Sequence, residues 1–84
     1  VKLIPNPNKG IFTLKGALGT IDDEEVNVEV TDMLGQVVYT TKLIAHNGTL
    51  NETIQLSNKL ANGMYMLNLH SGSENKVFHM VIEQ

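Results

Sequence analysis

Apolar and polar residues alternate along most of this chain. The run Val26-Asn27-Val28-Glu29-Val30-Thr31 is the clearest case, the pattern of a half-buried strand with Val26, Val28 and Val30 inward. Ile11-Phe12-Thr13-Leu14-Lys15 repeats it more briefly, with Phe12 and Leu14 on one face and Thr13 and Lys15 on the other. Gln36 to Ile44 is β-branched and aromatic, and long enough to predict a bulge or bend. Thr49 to Leu56 reads as the strand returning from it, with Leu50, Ile54 and Leu56 inward and Glu52 on the same face. Leu60 to His70 and Lys76 to Gln84 flank Ser71-Gly72-Ser73-Glu74-Asn75, the composition of a terminal β-hairpin and its turn. A short apolar lead, Lys2-Leu3-Ile4, opens the chain.

Turn chemistry separates these segments. Pro5-Asn6-Pro7-Asn8 must be extended or turned, because each proline fixes its own φ and restricts the residue before it; Asn8-Lys9-Gly10 completes the signal. Gly16 to Glu25, with Gly16, Gly19 and an acidic run, is expected to be a loop. Asp32-Met33-Leu34-Gly35 suits a tight turn, since Asp bonds nearby backbone and Gly accepts positive φ. Asn47-Gly48 is the strongest short hairpin signal in the chain. Ser57 to Gly63 has the length of one helical turn closed by glycine, too short for an independent helix. The sum is about seven short strands with turn signals roughly every 8 to 12 residues, which predicts an all-β, antiparallel β-sandwich or small barrel. In a sandwich, Tyr65, Leu67 and Leu69 are expected to face Val26, Val28 and Val30 across the core from the opposite sheet.

Composition narrows the function. A chain of 84 residues is one domain whose core must be compact, with little room for a catalytic cleft. The formal charge is −3 and the six Lys and Arg are scattered, which argues against nucleic acid and against an anionic membrane surface. With no cysteine there is no disulfide framework and no thiolate chemistry, and the redox compartment stays open. No apolar run approaches the roughly 18 to 20 residues of a membrane-spanning helix. No basic-then-apolar leader stands before Val1, so the chain reads as a piece of a longer protein, with Gln84 as its expected C-terminus.

Candidate chemistry is sparse. No glycine-flanked serine elbow or reactive cysteine is present, so no enzyme is expected and no cofactor is assigned. If the terminal hairpin pairs in odd register, His70 and His79 lie diagonally on one face at about 7 Å, near enough to imagine a shared metal; without a third ligand, partly exposed strand histidines are the better reading. Asp22-Asp23-Glu24-Glu25 offers oxygen ligands for calcium, yet it lacks the alternating spacing that wraps an ion and reads better as a solvated loop. Met64, Met66 and Met80 fill core gaps or an apolar surface.

Four groups of residues in order resemble a known family. Pro5-Asn6-Pro7 with Gly10 and Phe12, then Val30 to Val38 around Asp32 and Gly35, then Leu60-x-x-Gly63-x-Tyr65, then Lys76 opening a final apolar strand, are similar to the C-terminal sorting domain of type IX (Por) secretion cargo. The resemblance covers nearly the whole chain. It implies an immunoglobulin-like β-sandwich, residues 1–84 forming a single sorting domain behind an upstream cargo. It also implies passage from the periplasm through an outer-membrane translocon in a Gram-negative bacterium. A surface sortase then removes the domain and joins the cargo to anionic lipopolysaccharide, leaving it secreted or at the cell surface.

The family often has basic residues late in the last strand, whereas this chain has His79 and closes Glu83-Gln84. The candidate recognition residues are therefore Lys76, Val77, Phe78, His79, Met80, Val81, Ile82, Glu83 and Gln84, with the apolar strand rather than charge as the recognised feature. Its exposed face is either Val77, His79 and Val81 or Phe78, Met80 and Ile82. A free terminal strand is the element a receptor reaches most easily, by adding a strand to its edge or peeling it away. The competing reading is a passive extracellular adhesion or carbohydrate-binding sandwich. With no Trp and only Phe12, Phe78, Tyr39 and Tyr65, the chain has little material for a sugar platform.

Overall fold

The alternating segments become seven strands: β1 (Lys2–Ile4), β2 (Ile11–Ala17), β3 (Glu24–Thr31), β4 (Val37–Ala45), β5 (Thr49–Gln55), β6 (Gly63–Ser71) and β7 (Glu74–Ile82). They are seen in a computed structural model that describes residues 1–18, 22–56, 60–72 and 74–83. Among the described residues there is no helix. The expected helical turn at Ser57 to Gly63 lies partly outside them, and what is described of it, Leu60 to Asn62, is bend and coil before β6.

The strands form two antiparallel sheets, one in the order β1-β2-β5 and one in the order β4-β3-β6-β7. This is the all-β sandwich that the sequence predicts. A constant-type immunoglobulin sandwich keeps its fourth strand beside the fifth. Here β4 pairs with β3 instead, which leaves three strands in one sheet and four in the other.

Period-2 alternation sets the core. Phe12, Leu14, Leu50 and Ile54 from the smaller sheet face Val26, Val28, Val30, Leu67, Leu69, Met80 and Ile82 from the larger, all buried. Removing these side chains from water is the main force holding the sheets together. Tyr65, Leu67 and Leu69 are buried as expected, but they do not lie opposite the valines. Val28 pairs with Leu69 and Val30 with Leu67 in the same sheet, because β3 and β6 are neighbours. The alternation fixes which face a residue takes and leaves the partner strand undetermined.

Glu52 does share the core face, opposite Leu14, and is half-buried. β5 is an edge strand, so the carboxylate can reach water past the sheet margin. An inward-pointing charge of this kind also discourages unwanted strand pairing.

At Asp32 the Gly35 N–H donates to the Asp32 carbonyl at 3.0 Å, and the Asp32 carboxylate accepts the N–H of Leu34 and of Gln36, each at 2.9 Å. Gly35 has φ +83°, which a side chain would disfavour. β4 carries the expected bulge: Val30 pairs with Tyr39 and Thr31 with Val37, so Val38 is the extra residue.

Asn47 and Gly48 have φ of 54° and 74°, the positive pair that a two-residue type I′ turn requires. His46 and Thr49 exchange both backbone bonds across it, at 3.0 and 2.9 Å. The pairing stops there. β4 stays beside β3, whereas β5 crosses to β2, so β5 is not the returning partner of β4. Turn residues reverse the chain locally; which apolar face then needs cover decides the sheet.

The loop expected from Gly16 to Glu25 is shorter, since β2 runs to Ala17 and β3 begins at Glu24. Likewise Glu74 and Asn75 belong to β7 rather than to the terminal turn.

Candidate recognition surface

β7 is the edge of the four-stranded sheet, and alternation gives it two unlike faces. Met80 and Ile82 are buried and Phe78 packs against the core, while Val77 is 55% exposed and His79 is exposed beside half-buried Val81. The outward set is therefore Val77, His79 and Val81. Lys76 pairs with Leu69 on the core-facing side yet remains exposed at the strand margin. Glu83 follows the strand and is exposed; Gln84 lies outside the described residues.

The Pro5 to Gly10 turn is bonded to the end of this strand. The Asn6 carboxamide nitrogen donates to the His79 carbonyl at 2.9 Å, and its oxygen accepts the Val81 N–H at 3.0 Å. Asn8 continues the contact with its backbone, donating to the Val81 carbonyl at 3.0 Å and accepting the Glu83 N–H at 2.8 Å. This is a short parallel bridge at Ile82.

The turn is braced from within. Asn8, only 4% exposed, accepts the Gly10 N–H at 2.9 Å through its side-chain oxygen and donates to the Pro5 carbonyl at 3.2 Å. Gly10 in turn accepts the Leu56 N–H at 2.7 Å, tying the turn to the end of β5. Pro5, Asn6 and Pro7 are exposed. Sequence reasoning read Asn8 as part of a turn and missed that it joins the turn to β7. Its signal is the Asn-x-Gly spacing, in which an Asn side chain bonds the backbone two residues on.

The remaining motif residues collect at the same end of the sandwich. Gly63 pairs with Ile82 and Thr31 with Met66, so the Asp32 to Gly35 turn, the start of β6 and the end of β7 are neighbours. The Tyr65 hydroxyl donates to the Ala61 carbonyl at 2.7 Å. A tyrosine near the start of the sixth strand, bonded to backbone a few residues upstream, is the tyrosine corner of immunoglobulin-like sandwiches. It holds the approach to β6 against the core, where half-buried Leu60 also packs. Met33, Leu34, Val37 and Met64 are exposed on this end and give it an apolar rim.

The other sequence candidates do not converge. His70 pairs with Asn75, bonding its side chain, and His79 with Met66. The register is odd and both histidines are on the outer face, but they stand four residues apart along the hairpin, roughly 13 Å at strand rise. They are not diagonal neighbours and cannot share an ion. In the acidic run, Asp23 accepts the Asn47 N–H at 2.9 Å and lies 3.9 Å from His46, while Glu25 lies 3.7 Å from Lys42. Glu24 and Glu25 are successive strand residues with opposite faces, so half of the run is strand rather than loop. Among the described residues no three His, Cys, Asp or Glu come together. A shallow hollow of about 340 Å³ lies over β3, β4 and β6, with Asn27, Glu29, Lys42, Asn68 and His70 among its lining residues.

Two sheets closed by a tyrosine corner place the protein among the immunoglobulin-like β-sandwiches, with its terminal strand latched by an N-terminal turn. The chain belongs to the Secretion system C-terminal sorting domain family, whose profile matches residues 2–83. That family is the sorting signal of type IX secretion rather than a class of enzyme, and it marks a secreted or cell-surface protein. No curated protein matches the chain.

Proposed function

We propose that residues 1–84 act as one C-terminal sorting domain. It brings an upstream cargo from the periplasm to the outer-membrane translocon, and a surface sortase then removes the domain and attaches the cargo at the cell surface. The recognised surface lies within the stretch from Lys76 to Gln84 and is read chiefly through Val77, His79 and Val81 on the outward side of β7, together with the Pro5 to Gly10 turn. The observation that supports this is the double contact of Asn6 with His79 and Val81, which makes one surface of two segments distant in sequence. A receptor reading that surface reads the folded domain and not a loose tail. Asp32, Gly35, Leu60, Gly63 and Tyr65 act as positioning residues for it, by holding the turn and strand that border it.

The test is a fusion of residues 1–84 to an unrelated exported protein in a host with the type IX system. Surface display is expected, with the domain cleaved from the displayed product. Display should be lost when Val77, His79 and Val81 are changed together with exposed Lys9 of the turn, the Asn6 bonds being left in place, in a variant that keeps the parent melting temperature. If the intact fusion stays in the periplasm, or if that folded variant is displayed normally, this reading fails and a passive adhesion module is the better account.

A further inference from the structure

The backbone of β7 that points away from β6 falls into two stretches. In an antiparallel ladder each residue sends its N–H and C=O to the same side, and successive residues alternate sides. The latch identifies the outward set: the His79 carbonyl, both groups of Val81 and the Glu83 N–H all go to Asn6 or Asn8. By the same alternation, both backbone groups of Asn75 and Val77 and the His79 N–H point outward too. β6 is the one strand beside β7 among the described residues, so these groups lie along an open edge. An open ladder from Asn75 to His79 thus adjoins a closed one from His79 to Glu83.

We propose that an extended segment of the secretion machinery adds to β7 as a further strand along Asn75 to His79, with Asn6 as the stop that fixes its register. This rests on the sorting reading and names how the surface is engaged. An unpaired edge is a template for strand addition, in which main-chain bonds give affinity and the alternating side chains give specificity. The flanking residues define the segment's chemistry. Val77 offers an exposed apolar side chain on the outer face and Lys76 an exposed cation on the other. The added strand places an apolar residue beside Val77 and a carboxylate beside Lys76. A second copy of this chain fits less well, since each copy has a formal charge of −3 and the two repel.

The discriminating change is Val77→Pro, which removes an outward N–H that β6 does not use; proline is tolerated on edge strands in that position. In the fusion, Val77→Pro is expected to lower surface display by about tenfold or more, the scale of a single lost bonding step of some 1.4 kcal/mol. Val77→Ile, which keeps the N–H and an apolar side chain, should lower display far less than Val77→Pro does. Lys76→Glu, which reverses the charge, should lower display more than Lys76→Arg, which keeps it. Val77→Pro that melts and is displayed as the parent overturns strand addition alone; an unsubstituted fusion that never reaches the surface overturns the sorting reading as well.

Should Val77→Pro fail to fold, hydrogen exchange on the unsubstituted chain decides. The amides of Asn75, Val77 and His79 should exchange freely while those of Lys76, Phe78 and Met80 are protected, with Val81 protected by Asn6 as an internal control. Protection at Asn75 and Val77 in the free monomer would mean that the edge is closed. Protection that appears only with a concentration-dependent dimer in sedimentation assigns the edge to a second copy. Either result overturns the proposal.

Discussion

Asn6 and Val81 are 75 positions apart in sequence, and the Val81 N–H donates to the Asn6 carboxamide oxygen at 3.0 Å. With its other end on the His79 carbonyl, the Asn6 side chain stands in for one peptide unit of a neighbouring strand. Asn6→Ala removes both bonds at an exposed site. It is expected to cost about 0.5 to 1.5 kcal/mol per bond at most and to speed exchange of the Val81 amide. Asn6→Asp keeps an acceptor for Val81 and loses the donor to His79, so it should protect Val81 without restoring full stability. Equal exchange at Val81 in the parent and Asn6→Ala would remove the latch from the account.

Leu67 is fully buried beside Val30 at the centre of the larger sheet. Leu67→Ala should cost about 2 to 5 kcal/mol in urea titration, the transfer loss plus the cavity left behind. A loss under about 1 kcal/mol is typical of surface positions and would contradict the register of β3 with β6.

Tyr65→Phe deletes the hydroxyl that bonds the Ala61 carbonyl and leaves the ring in place. The expected loss is about 0.5 to 1.5 kcal/mol, read as a lower melting midpoint with an unchanged far-ultraviolet spectrum. A variant as stable as the parent would show that the corner contributes position and no net stability.

A Cβ added at Gly35 meets nothing within 4 Å, so the strain of Gly35→Ala is in the backbone alone, at φ +83°. That should cost about 1 to 2 kcal/mol, whereas Gly35→Asn, which visits positive φ more readily, should cost less. Equal losses for the two would point to a turn that had changed conformation.

Thermal melts with chelator, calcium or zinc are expected to coincide. A ion bound only by the folded state would raise the midpoint. Asp23 and Glu25 are already directed to Asn47 and Lys42, and His70 and His79 stand too far apart to bind together. A rise with calcium would reopen the acidic run.

Face and turn were legible in the sequence, and so was the terminal β6–β7 hairpin; the other partners across each sheet were not. Val26, Val28, Val30, Leu50, Ile54 and Leu56 are inward as their alternation predicts, because a two-residue period is a local property. The Asp32 and Asn47 turns also follow from their residues, since side-chain bonding and positive φ are local as well. The placement of β3 beside β6, and of β5 beside β2, depends on how two whole apolar faces cover each other, which no short window contains. The same limit applied to the surface at β7. Its two halves could each be suspected from sequence, but nothing in Pro5-Asn6-Pro7-Asn8 announces that its hydrogen bonds end on residues 79 to 83.

The latch also has a place in time. A polypeptide is made from its N-terminus, so residues 5 to 10 exist long before residues 79 to 83, and the contacts between them are among the last that residues 1–84 can form. A product whose synthesis stops before residue 79, or one cut there, contains the early turn but has nothing for Asn6 to hold. Possession of the assembled surface therefore certifies that synthesis passed residue 83 and that both margins of the domain came together.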